Sequence, residues 1–99
     1  MSHRILVMAA EDDALARLCR FLESQGHDVD FTMEAPLAEA LLSCVHYSLF
    51  IADPELCRER GTDVSDIVSF ARRQSALTRV VLIARSGPSL CEERLSEAS

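Results

Sequence analysis

Lysine and tryptophan are both absent from this 99-residue chain. All ten bases are arginines, set against sixteen acids, for a formal net charge of −6. So acidic a balance argues against non-specific nucleic-acid binding, which needs a basic surface. No apolar run reaches the length of a membrane span, and the N-terminus lacks the long apolar core of a signal peptide. A cytoplasmic location is therefore expected. Glycine occurs only three times, and none comes directly after the first apolar run, which disfavours a glycine-rich phosphate loop there. The four cysteines, Cys19, Cys44, Cys57 and Cys91, are too widely spaced for a zinc knuckle. Reduced, structural thiols are expected, with Cys19, Cys44 and Cys91 on helical apolar faces and Cys57 in a loop, open to solvent. The three histidines, His3, His27 and His46, are scattered and have no catalytic partner in sequence, so they read as surface residues.

What the chain does have is an apolar fraction of 48%, enough for one folded domain over residues 1–99. Its organising stretch is Tyr47-Ser48-Leu49-Phe50-Ile51-Ala52-Asp53-Pro54. Four apolar residues without alternation read as a strand buried on both faces of a parallel sheet. Proline lacks an amide hydrogen and cannot continue a central strand. Asp53 therefore stands at the carboxyl end of that strand, the edge where open α/β sheets bind ligands. The plainer reading of the same residue is a cap or turn former.

Taken in order, Ile5-Leu6-Val7-Met8 reads as a first strand. Glu11-Asp12-Asp13 suits the start of a helix, through capping and the dipole. Leu15, Leu18, Cys19 and Leu22 recur at helical spacing up to Gly26. The stretch from His27 to Met33, around Val29-Asp30-Phe31, alternates as an edge strand does. Pro36 fits the first turn of a second helix carrying Leu37, Ala40, Leu41, Cys44 and Val45. After the organising strand, Glu55 to Thr62 reads as a polar loop. Thr62 or Asp63 then caps a helix with Val64, Ile67, Val68 and Ala71 on one face. Val80 to Ala84 is a second continuous apolar run. Gly87-Pro88-Ser89 breaks the chain, and a short helix from Leu90 to about Ala98 carries Cys91 and Leu95. Four strand–helix alternations with short connections predict an α/β fold, a parallel sheet with helices on both faces.

These residues, in this order and spacing, resemble a response-regulator receiver domain of the chemotaxis-regulator kind. Ile5-Leu6-Val7, the acids after it, the helix ending at Gly26, Tyr47 to Asp53, Gly61 and Val80-Val81-Leu82-Ile83-Ala84-Arg85 carry the likeness. It implies a flavodoxin-like sheet of four strands in the order 2-1-3-4, with Asp53 as the phospho-acceptor. A fifth strand and helix would be missing, so that the fourth strand becomes an edge.

The family's other site functions fall on residues that cannot supply them. Its acidic pair after the first strand lands on Ala9 and Ala10. Its switch hydroxyl lands on Ile83 or Ala84, and neither side chain donates a hydrogen bond. Its lysine has no counterpart in a chain without lysine. The expectation is a signalling module of two-component type that acts by protein contact, not an enzyme and without a resident cofactor. Its contact residues would be Val81, Ile83, Cys91 and Leu95, at the fourth-strand edge and on the last helix, taking a protein partner or a second copy. The alternative is a true phospho-acceptor served by a histidine kinase, with Mg²⁺ held by Glu11, Asp12 and Asp53, a hard cation needing oxygen ligands. A flavodoxin-like small-ligand binder is the third reading.

Overall fold

The structure is a computed structural model that describes residues 3–83. Its elements run β1 (Arg4–Met8), α1 (Asp13–Ser24), β2 (Asp28–Thr32), α2 (Ala35–Cys44), β3 (Leu49–Ala52), α3 (Pro54–Glu59), α4 (Val64–Gln74) and β4 (Arg79–Leu82). The four strands form one sheet in the order β2-β1-β3-β4, and every neighbouring pair is parallel. This is the sheet that the strand–helix alternation predicts. The expected last helix, with Cys91 and Leu95, lies outside the described residues.

Strand alternation sorts the core into two layers. Leu6, Met8, Phe50, Ala52 and Val80 turn to one face and pack with Ala38 and Leu42 of α2, Leu56 and Cys57 of α3, and Ile67 and Ala71 of α4. Ile5, Val7, Ala9 and Ile51 turn to the other face and pack against Leu15, with Leu18, Cys19 and Leu22 of α1 at the margin. Each large apolar side chain buried this way contributes roughly 1.5–3 kcal/mol. Both faces of β1 and β3 are therefore covered, which explains their unbroken apolar runs.

The helix starts follow from side-chain caps. Asp12 Oδ1 accepts the Leu15 amide at 2.7 Å, and Asp63 Oδ1 accepts that of Ser65 at 2.9 Å. Asp63, rather than Thr62, is thus the cap of α4. Pro36 sits in the first turn of α2, where its missing amide hydrogen is no loss. After α1, Gly26 takes φ +91, a left-handed conformation suited to glycine past a helix end.

Three expectations need correction. The polar loop after Asp53 is in fact helical over Pro54–Glu59. Cys57, expected in a solvent-open loop, is fully buried in the core as a result. The helix turns Leu56 and Cys57 inward and leaves Arg58 and Glu59 outside. A third, smaller correction concerns Cys44, which is exposed at the end of α2 instead of packed on its apolar face.

Candidate functional site

Asp53 stands directly after β3, at the carboxyl edge of the sheet. Its amide donates to Met8 O at 2.9 Å, which locks it beside the end of β1. On the other side, the Ile83 amide donates to Ala52 O at 3.0 Å. The edge around Asp53 is therefore formed by Ala9 after β1, Thr32 at the end of β2 and Ile83 after β4. The register puts Ala9, an alanine, next to the aspartate. Ile83 lies next to it from the opposite side, and its side chain packs on the Ile5–Val7–Ala9 cluster.

The carboxylate of Asp53 is held in place. It is the N-cap of α3: Oδ1 accepts the Glu55 amide at 2.9 Å and the Leu56 amide at 3.4 Å. The residue is only 2% exposed. Burying a carboxylate this completely requires compensating hydrogen bonds, and the first turn of α3 provides them. One turn along, the Cys57 thiol is pushed up from its ordinary range, first by burial and then by the nearby Asp53 charge. Cys57 is thus a poor source of thiolate and reads as core.

The other acids named from sequence follow the end of β1. Asp12 is occupied as the cap of α1. Glu11 is exposed and borders a groove formed by Leu15, Ala16, Cys19, Arg20 and Phe31. Among the described residues, no three His, Cys, Asp or Glu side chains gather to hold a metal ion, so Glu11, Asp12 and Asp53 are not brought together as a set of three. Val81 and Ile83 are both half-buried and share the α1 face. Cys91 and Leu95 lie outside the described residues.

A polar network that sequence reasoning did not foresee braces the opposite, amino edge. Tyr47 is fully buried, and its phenol donates to Asp30 Oδ2 at 2.7 Å. Arg4 Nε lies 3.5 Å from the same oxygen. The buried Thr78 hydroxyl donates to Tyr47 O at 2.6 Å. At the carboxyl edge, an exposed ion pair of 2.6 Å joins Arg60, after α3, to Glu34, before α2. No sequence pattern signals these pairs, because each joins residues distant along the chain.

No described protein family matches the sequence, and no curated protein matches it. Solved structures do match. The receiver domain of the hybrid histidine kinase CckA aligns over 96% of this chain and 97% of its own, with a TM-score of 0.70 and 19% identity. The receiver domain of NtrC4 from Aquifex aeolicus aligns over 98% of this chain and 78% of its own, at 0.68 and 18%. A fusion carrying a trimeric coiled-coil segment of yeast Spc42 covers all of this chain and 67% of its own, at 0.74 and 19%. The chain has the receiver-domain fold. Within that fold, Asp53 occupies the carboxyl end of the third strand and Ala9 the place beside it. Among the described residues, no helix is long and apolar enough to cross a membrane.

Proposed function

We propose that this chain is a signalling module of two-component type that works through protein contact and is phosphorylated weakly or not at all. One observation carries the reading: the Asp53 carboxylate is buried and bound to the first turn of α3, with Ala9 beside it instead of an acid. Phosphoryl transfer to a carboxylate needs an accessible nucleophile and a cation to neutralise the phosphoryl oxygens. The side chains at hand support this reading: those of Ala9 and Ala10 carry no oxygen, Asp12 is engaged as a cap, and Glu11 is exposed at the groove beside α1. Ile83 offers no hydroxyl at the far side. Val81 and Ile83 belong to the same proposal as contact residues near the β4 edge. That edge pairs only with β3 among the described residues, and light scattering at micromolar concentration tests for association through it.

The position of Asp53 favours a second reading, a true phospho-acceptor served by a histidine kinase. The two separate cleanly. The protein is incubated with a small phosphodonor and Mg²⁺, and aspartyl phosphate is measured by mass spectrometry. The expected result is no Mg²⁺-dependent labelling at Asp53. Stoichiometric labelling there overturns the first reading in favour of the second.

A further inference from the structure

β2 is an outer strand of the sheet, and the direction of its backbone groups is fixed by the ladder. The Asp28 amide donates to His3 O, and Thr32 O accepts from Ala9 N. In a parallel pair such bonds recur at every second residue, so Asp28, Asp30 and Thr32 turn both backbone groups toward β1. Val29 and Phe31 turn theirs outward. Among the described residues, no strand pairs with that side. The strand has no proline or lysine of its own, two usual protections of an edge.

Side chains add a second layer of information. Val29 packs on the α1-side cluster. Phe31 shares that parity, is 39% exposed and forms one wall of a groove of about 240 Å³ with Leu15, Ala16 and Cys19. Glu11 and Arg20 stand on the groove's rim. Asp28 and Asp30 point to the opposite face. The two residues whose backbone groups turn outward are therefore the two on the apolar face, and the acids alternate with them.

A second copy of this chain does not suit the edge. Antiparallel self-pairing about Val29 sets Asp28 against Asp30. Pairing about Asp30 sets that residue against itself, and pairing about Phe31 sets Asp28 against Glu34. Like charges directly opposite one another destabilise a pair of strands, and each chain carries a net charge of −6.

We infer that the β2 edge adds an extended segment of a partner protein in which basic and apolar residues alternate. Residues directly opposite on antiparallel strands share a face. The partner's apolar side chains then lie over Val29 and Phe31 and enter the groove beside α1, and its basic ones meet Asp28 and, beside its bonds to Tyr47 and Arg4, Asp30. Main-chain bonds to Val29 and Phe31 supply affinity, and the alternation supplies specificity. The inference names a surface and a partner class for the contact mode proposed above. Its test does not depend on phosphorylation, so either can fail without the other.

The probe is the peptide acetyl-Lys-Val-Lys-Val-Lys amide, titrated into the ¹⁵N-labelled full chain, with the glutamate-for-lysine peptide as control. The expected result is chemical-shift change centred on Val29 and Phe31, slowed hydrogen exchange at those two amides, and no response to the acidic peptide. Val29→Pro removes one outward amide without touching the β1 ladder; its binding should weaken about fivefold or more with the circular dichroism unchanged. Phe31→Ala, which removes a groove wall, should weaken binding in the same sense even if the proline variant misfolds. Four results would overturn the inference: shifts scattered over the acidic surface, equal binding of both peptides, shifts confined to α1 with the peptide helical, or no binding at millimolar peptide.

Discussion

The phenol of Tyr47 reaches across β1 to Asp30 on the outer strand, 2.7 Å from oxygen to oxygen. Tyr47→Phe keeps the ring but leaves Asp30 short of a donor at a partly buried site. The expected cost is about 1–3 kcal/mol, read from urea unfolding. Burial, with the Asp30 hydrogen bond and charge behind it, pushes the Tyr47 phenol well above its ordinary range. The folded state therefore holds this proton more tightly than the unfolded state, where a tyrosine titrates near 10. The stability it contributes is complete below about pH 10 and falls as pH rises beyond that. Tyr47→Phe should flatten the alkaline limb of a stability-against-pH curve, and an unchanged limb would count against the bond.

Asp53 should behave as a structural cap. Asp53→Ala removes the acceptor for the Glu55 and Leu56 amides and should cost about 0.5–2 kcal/mol. Asp53→Asn keeps an acceptor oxygen and should cost clearly less. Chemical denaturation of the two variants decides it, and equal losses would mean that charge, not capping, matters there.

The thiols should separate by burial. Cys44 is exposed, Cys19 half-buried and Cys57 buried. Burial, reinforced by Glu23, raises the Cys19 thiol, and burial with Asp53 raises that of Cys57. With a colorimetric thiol reagent at neutral pH, Cys44 should react first of these three, and Cys57 only at the rate of unfolding. Rapid native-state labelling of Cys57, located by peptide mapping, would contradict its place in the core.

Gly61 joins α3 to α4 with φ +74, and a Cβ built there meets nothing within 4 Å. Gly61→Ala thus isolates backbone strain from steric clash. The expected loss is about 1–2 kcal/mol, seen as a lower midpoint in thermal unfolding. A neutral result would show that the turn can relax to negative φ.

The parts of the fold that were legible in sequence are those governed by short-range rules. The run Leu49–Ala52 ended at Asp53-Pro54 because proline stops a strand, and Val64, Ile67, Val68 and Ala71 face inward because helical spacing places them together. α3 reads as a loop in sequence because its single turn and a half gives too little periodicity to weigh against Arg58, Glu59 and Arg60. Its signals were nonetheless present: an aspartate at the cap, a proline in the first turn and an acid behind it. The place of Asp53 could be read from sequence; its burial could not, because that depends on how α3 folds back. The Tyr47–Asp30 bond depends on strand order, which local sequence does not encode. The outward direction of the Val29 and Phe31 backbone groups likewise depends on the register, although the alternation of these residues with two acids is plain in the sequence.

The cap on α3 has a consequence for how such sequences evolve. An aspartate in this position serves folding as well as any chemistry it performs. Even if the residue carried no phosphoryl group, the Glu55 and Leu56 amides would still need its oxygen. The capping aspartate would still be held by purifying selection for a folded product. An aspartate at the end of this strand is therefore, taken by itself, weak evidence of chemistry.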